Sequence, residues 1–357
     1  MAIDWGKERQ GVFLLLAMLA WAIGAAPHLM GWVLSGSPPP ALEWNLTHYH
    51  VSYQEFGFLR RGLVGSLVAP LFALLPDGGL GEYGVMLGLD AAIAAGLAWL
   101  VARLFLPTGP DAPGQRLFAA AFLIAPVGMM QMGYDLARLD HVNFVLMAGA
   151  LVAVLGGRAM LAACLVTLAM LVHEAVLFYG VPVIVALALR RSPGEALIIA
   201  LPALGAALAL ALWGGTSADL GTALPPQADL AASVWTRNLL EPARGFPPQH
   251  YLVAAYLALV PLLLLWRHYA LNRLAPDLLM LAPATTLALF VLGVDYGRWS
   301  HCLFVSVLMV IAAAPRLDRQ PGADLAPLPV KVALAPWLLP LGPVGIALLY
   351  PFIPWIV

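Results

Sequence analysis

Uninterrupted apolar runs of membrane-crossing length constrain this chain more than any other feature. A helix needs roughly 20 apolar residues to cross about 30 Å of hydrocarbon, and the runs near 11–34, 83–106, 194–214 and 333–355 meet that requirement. Shorter apolar runs occupy 116–134, 142–157, 159–174, 176–190, 250–267, 278–294 and 301–314. Of the 357 residues, 62% are hydrophobic and 10% charged, against about 45–50% apolar residues in a soluble domain, so a water-soluble fold is excluded. The sequence predicts an all-α, polytopic transmembrane helical bundle of about 11 membrane helices, a single integral membrane domain over 1–357. Lys7 and Arg9 precede the first run, which is too long for the h-region of a signal peptide and reads as a retained helix.

Charge narrows the partners. A net charge of −1 supplies no basic surface for nucleic acid, which binds through phosphate neutralisation. Cys164 and Cys302 both lie in apolar runs and form no CxxC pair, so they read as small core residues.

The run Gly62–Leu75 is apolar but short, and its placement fixes the side of everything after it. Read as interfacial or re-entrant, it leaves Lys7, Arg9, Arg103, Arg116, Arg158, Arg190, Arg191, Arg267, Arg273, Arg316, Arg319 and Lys331 inside, twelve of the 18 cationic residues. Read as a span, it leaves only Lys7, Arg9, Arg138, Arg237, Arg244 and Arg298 inside. The positive-inside tendency favours the first topology, with a cytoplasmic N-terminus. The same count divides 159–190 into two short helices that turn at His173-Glu174, and Pro182 also interrupts a single helix there. The polar stretches 35–61 and 215–249 then fall outside, the second rich in proline and glycine.

This topology gathers Glu55, Arg60, Arg61, Asp135, Arg138, Asp140, His141, His173, Glu174, Asp295 and Arg298 at the outer helix ends. Ionisable groups at membrane depth are costly and mark functional sites, although arginines and aromatics also anchor helices in the headgroup layer. Glu55, Arg60 and Arg61 precede the interfacial helix, where one guanidinium suits phosphate and the other a carboxylate. Asp135, Arg138, Asp140 and His141 crowd one turn, equipped to act as a general base, as metal ligands through the two aspartates, or as an ion pair holding the loop. His173-Glu174 is followed by Leu177, so it is not HExxH, and it suits a mutually satisfied pair as well as catalysis or phosphate binding. Trp299 lies between Arg298 and His301, suited to stacking on a sugar ring or to the interface. Asp90, about two turns inside its helix, reads as a weaker candidate that pairs with a neighbouring helix. Asn45-Leu-Thr47 matches a glycosylation sequon, and His48 and His50 are metal-ligand types on a polar loop.

In these residues the chain resembles polytopic bacterial envelope glycosyltransferases of the GT-C type and the related O-antigen and exopolysaccharide polymerases. The similar features are Glu55, Arg60 and Arg61 after the first helix, the His173-Glu174 hairpin with Pro182 and Arg190-Arg191, and the late Asp295-x-Gly-Arg298. The resemblance implies transfer or polymerisation of a sugar from a polyprenyl-phosphate carrier at the outer face, in partnership with membrane lipid and polysaccharide-assembly proteins. It implies Glu55, Asp135 or Asp140 as the catalytic acid or base, and Arg60, Arg61, Arg138, His141, His173, Glu174, Asp295, Arg298 and Trp299 as the binding set. Metal dependence stays open, with a divalent ion and none both compatible. Where GT-C enzymes usually carry an aspartate in the first outer loop, this chain has Glu55. A transporter or flippase for a lipid-linked or anionic solute, or a non-catalytic subunit of a polysaccharide complex, would use the same charges for binding and proton relay.

Overall fold

The computed structural model describes residues 5–75, 80–105, 113–214, 248–292, 296–317 and 334–338, and no strand occurs among them. The chain is an all-α membrane protein. In order it forms α1 (Trp5–Ser35), α2 (Pro40–His50), α3 (Tyr53–Phe56), α4 (Gly62–Phe72), α5 (Leu80–Phe105), α6 (Pro113–Ile124), a π-turn (Pro126–Met130) and α7 (Gln131–Tyr134). Next come α8 (Leu139–Leu155), α9 (Ala159–Val172), α10 (Val176–Tyr179), α11 (Val181–Arg191) and α12 (Pro193–Leu212). The described remainder is α13 (Pro248–Leu271), α14 (Leu278–Leu281), a 3₁₀ turn (Ala282–Thr286), α15 (Leu287–Leu292), α16 (Tyr296–Leu317) and a last 3₁₀ turn (Ala335–Leu338).

Five described helices are long and apolar enough to cross a bilayer: Gln10–Ser35, Leu80–Leu104, Pro193–Leu212, Tyr251–Leu271 and Tyr296–Ala314. The other expected runs are shorter or broken. The run 116–134 stops at Ala125, passes through a π-turn with a non-helical Gly128, and resumes as α7. Pro126 has no N–H to continue the preceding helix. The run 278–294 likewise tightens into a 3₁₀ turn at Pro283. The loop 215–249 and the run 333–355 lie outside the described residues, apart from the start of α13 and the last 3₁₀ turn.

α16 is the central helix. Its membrane-length window is 94% buried, against 22% for α1 and α12, whose Leu15, Leu19, Leu201 and Leu208 point outward as lipid-facing residues do. Phe304 on α16 stacks on Phe122 of α6 at 5.3 Å, and Ser306 donates to the Tyr179 carbonyl freed where α10 ends.

Two short helices determine the geometry of the site. α4 has 11 residues, about 16 Å of helix, which is too short to cross. His50 at the end of α2 packs on Phe72 at the end of α4, at 5.0 Å, and lies 3.4 Å from Glu82 at the start of α5. Tyr83 also packs on Trp32 near the end of α1, at 5.1 Å. α9 has 14 residues, and it leaves α8 through a Schellman closure in which Gly157 takes φ +71. There Arg158 N–H donates to Ala153 O at 2.8 Å and Gly157 N–H to Val154 O at 2.9 Å. The helix ends at His173, so α8, α9 and α11 run back and forth between two ends of the bundle.

Candidate functional site

At the end of the bundle where α1 finishes, three loops and one helix meet. The turn before α4 contributes Arg61, the loop before α8 contributes Arg138 and Asp140, the α9–α10 turn contributes His173 and Glu174, and α16 contributes Arg298. Two of these loops hold non-glycine residues in the left-handed region, Arg61 at φ 65 and Ala137 at φ 62. Such backbone costs about 1–2 kcal/mol per residue and persists where the surroundings over-determine it. At Arg61 it reverses the chain just before α4 and sends the guanidinium to Glu174 across the bundle. The loop 135–138 is pinned from outside, because Asn45 on α2 donates its amide to the Leu136 carbonyl at 2.7 Å. From below, α7 presses on α1 so closely that a Cβ at Gly133 would stand 1.9 Å from the Trp21 carbonyl oxygen.

The charged groups interlock as two pairs. Arg61 grips Glu174 with two donors, Nη2 to Oε1 at 3.0 Å and Nε to Oε2 at 3.4 Å. Arg298 donates Nε to Asp140 Oδ2 and Nη2 to His173 Nε2, the latter at 2.9 Å. Asp140 Oδ1 has no hydrogen-bond partner and lies 3.7 Å from His173 Nδ1. Arg138 is close enough to act on both Asp140 and His48. Arg61, Arg138 and Arg298 thus gather beside the Glu174 and Asp140 carboxylates and two histidines.

Exposure grades across the cluster. The Asp140 side chain is 2% exposed, Arg298 13%, Arg61 18% and Glu174 24%, so the cluster opens on the Arg61–Glu174 side. Burial alone would raise the Glu174 carboxyl, but the Arg61 guanidinium, followed by His173, outweighs it and holds the group below the ordinary carboxylate range. Burial and then Arg61 lower His173 to about 4. His48 is pushed down to about 3 by burial and then by Arg61, His173, Arg138 and Arg298. Both imidazoles are therefore neutral at pH 7.

Beneath this layer lies a second pair. His141 Nδ1 stands 2.6 Å from Asp90 Oδ1, and Trp21 donates Nε1–H to Asp90 Oδ2 at 3.0 Å, with both ionisable side chains almost wholly buried. Asp90 does pair with a neighbouring helix, as its position within α5 suggests. His141 therefore faces away from its neighbour Asp140 and is tied to α5 and α1. His301, buried with an unpartnered Nε2, lies between the two layers within reach of His141 and Asp140.

The remaining candidates spread out. Glu55 is exposed on α3; its backbone N–H is capped by Ser52 Oγ, and its carboxylate has no ion pair among the described residues. Arg60 is half-buried in the turn beside Arg61. Asp135 is buried and accepts from Gln131 Nε2 at 2.7 Å. Trp299 is buried, with the Arg298 guanidinium 4.6 Å from its ring centre. Asp295 lies outside the described residues. Among the described residues no group of three or more His, Cys, Asp or Glu is arranged to hold a metal. The Asn45 sequon is buried and its amide is engaged at Leu136.

Sequence reasoning did not place His48 in the cluster. Its ring Nδ1–H donates to the Trp44 carbonyl one helical turn earlier at 3.1 Å, and Arg61 Nη1 donates to its Nε2 at 3.4 Å. The usable signal is a histidine four residues after Trp44 on a short helix facing the arginine turn. Comparison with protein-family models, curated proteins and solved structures finds no match.

Proposed function

We propose that this protein is a membrane glycosyltransferase or polysaccharide polymerase that uses a polyprenyl-phosphate-linked sugar, with its site on the outer face of a bacterial inner membrane. The observation that carries the reading is the meeting of Arg61, Arg138 and Arg298, from three distant parts of the chain, on a half-open polar cluster. Preorganised guanidinium groups stabilise the charge that grows on a departing phosphate, and they do so best where water is scarce. The lipid tail of such a donor would lie along the apolar outer surface.

In this reading the acceptor hydroxyl loses its proton to a carboxylate and attacks the anomeric carbon, while the sugar–phosphate bond breaks and its electron pair leaves on the phosphate. Asp140 is bound to Arg298 and Asp135 to the Gln131 amide. That leaves Glu55, whose carboxylate has neither an ion pair nor a side-chain hydrogen bond among the described residues, at the exposed rim beside the Arg60–Arg61 turn, and it is the base of choice here. The test is transfer of labelled sugar by the purified protein in lipid. Glu55→Gln and Arg298→Ala are expected to abolish transfer while the lipid-linked donor still binds to Glu55→Gln.

A transporter is the second reading, favoured by the buried Asp90–His141 pair ten residues into α5, a proton-relay type of group. Movement of a lipid-linked or anionic solute across sealed vesicles without sugar transfer would replace the enzyme reading with that one.

A further inference from the structure

We propose that Arg298, His173, Asp140 and Asn143, with Tyr179 beside them, form a hydroxyl-binding subsite for a neutral pyranose sugar, closed in this structure by the contact of Arg298 with His173. This deepens the sugar-transfer reading, on which it rests for the choice of a sugar among polyhydroxyl ligands.

Both ring nitrogens of His173 face donors. Nδ1 meets the Ala175 backbone N–H at 3.1 Å, and Nε2 meets Arg298 Nη2 at 2.9 Å. A neutral imidazole has one lone pair in its plane and one N–H, and neither a guanidinium nor a backbone N–H can accept. One of the two contacts therefore sets a ring N–H against a donor. Protonating the ring adds a second N–H and opposes both contacts, so the conflict holds in either charge state. Ala175 is the residue that leads into α10, and its N–H is fixed by the backbone, whereas the Arg298 side chain can turn. A ligand oxygen between Arg298 and His173 relieves the conflict. Nδ1 then keeps the Ala175 N–H, and Nε2–H and Nη2–H become two donors converging on that oxygen.

Acceptors stand next to this donor pair. Asp140 Oδ1 and Asn143 Oδ1 are buried without a hydrogen-bond partner, although Arg298 holds Asp140 Oδ2 and the Asn143 amide donates to the His173 carbonyl at 3.0 Å. The two residues are three apart on α8 and so share a face, and Asp140 Oδ1 lies 3.7 Å from His173 Nδ1. The Tyr179 hydroxyl, also buried without a hydrogen bond, lies beside Asn143. Buried polar atoms are rarely left unmatched, and a group of them beside two opposed donors marks a place where a ligand completes the bonding. A phosphate or carboxylate oxygen would accept from Arg298 and His173, but it has no proton for Asp140 or Asn143 and would face the Asp140 carboxylate. A hydroxyl does both, accepting from the donor pair and donating to an acceptor. Because the acceptors continue along α8 from Asp140 to Asn143, a ring with neighbouring hydroxyls is matched at more than one position.

The probes are the methyl pyranosides of glucose, galactose and mannose, with tetrahydropyran as the same ring without hydroxyls and sulfate as an anion. Each is titrated into the full-length protein in lipid nanodiscs while the ring-nitrogen NMR signals of His173, assigned by their loss in His173→Gln, are followed. At least one pyranoside is expected to bind and to move the signals to those of a ring protonated and hydrogen-bonded at Nε2, while tetrahydropyran and sulfate leave them in place. Asn143→Leu should weaken that pyranoside about tenfold. Thr167→Val, which removes another buried unpartnered hydroxyl about two turns away on α9, should leave its affinity unchanged. If Asn143→Leu does not fold, Tyr179→Phe, which loses only a hydroxyl, takes its place with the same expectation. No response of His173 to any of the pyranosides, an equal response to tetrahydropyran or sulfate, or an affinity that Asn143→Leu leaves unchanged overturns the subsite. Pyranoside binding at His173 without sugar transfer leaves the subsite standing and removes the glycosyltransferase reading; sugar transfer by a protein whose His173 does not respond does the reverse.

Discussion

At the end of the bundle where α11 finishes, Arg190 donates to Asp277 and Arg191 meets Glu195 one turn into the next helix at 3.0 Å. At the opposite end Arg61 and Arg298 meet Glu174 and Asp140. Both ends pair arginine with acid, yet they differ in chemistry. Asp277 is first a helix cap, its Oδ1 accepting from Met280 N–H at 3.0 Å, and Ser192 caps α12 in the same way through Gly194 N–H at 3.2 Å. Asp277 completes a helix terminus and Glu195 sits in the first turn of a helix that Ser192 caps, so their arginines add to turns that would form without them. Asp140 and Glu174 cap nothing by side chain: Asp140 is buried to 2%, and the backbone at Arg61 is left-handed. A pair that completes a helix end is architecture; a pair whose acid is buried and serves no helix cap, beside further arginines, is the kind of arrangement a binding site requires.

The sharpest way to break this contrast is to remove one cation at each end. Arg298→Ala leaves Asp140 buried and unpaired and is expected to cost about 3–5 kcal/mol, the usual result of orphaning a buried charge. Thermal unfolding in lipid should show it as the largest drop of any single arginine variant. At Arg61 the strain can be separated from the charge: Arg61→Gly should be more stable than Arg61→Ala by about 1 kcal/mol, because glycine accepts φ 65 freely. Both should lose anion binding equally. If Arg61→Ala is the more stable of the two, the left-handed turn is not a constraint in the folded protein.

Acid titration gives a smaller, signed effect. The Glu174 carboxyl is held below its ordinary value of 4.5, so the stability it contributes is complete above that pH and is lost as pH falls below it. Unfolding temperature should therefore decline below about pH 4.5 in the wild type. In Arg61→Gln the strongest opposition to burial is gone, and this acid-side decline should be smaller than in the wild type. His48 adds to the acid sensitivity of the wild type, since it is neutral when folded at pH values where the unfolded chain protonates it. The smallest expected change is at the other end: Arg191→Ala removes an exposed i, i+4 pair and should cost about 0.3–0.5 kcal/mol. A loss there as large as that of Arg298→Ala would erase the distinction between the two ends.

The sequence made this contrast partly legible. Positive charges near helix ends form a one-dimensional signal, and counting them placed the break of 159–190 at His173 and kept 62–75 from crossing. The break is present as the α9–α10 turn, and the segment 62–72 forms a helix of only 11 residues. Helix type in long apolar runs was equally readable, whereas breaks inside such runs were not, because the π-turn after Pro126 and the 3₁₀ turn at Pro283 are settled by packing against α1 and α16. Partners are harder still. Asp140 and His141 are adjacent in sequence, but one faces Arg298 and the other Asp90, and only the rotation of α8 within the bundle separates them. His48 was not placed in the cluster for the same reason, since its surroundings come from burial, from Arg61 and from Arg138, His173 and Arg298 much further along the chain.

All of this requires α4 to leave and re-enter the same side, so that Arg61 can share a site with Arg138 and Arg298. Single cysteines at Glu55→Cys, Leu80→Cys and Arg158→Cys, in a protein with Cys164 and Cys302 replaced, test it through labelling by a membrane-impermeant maleimide on sealed, oriented vesicles. Positions 55 and 80 should label from one side and position 158 from the other. Labelling of 55 and 80 from opposite sides would show that α4 crosses, and would divide the arginine cluster between the two faces of the membrane.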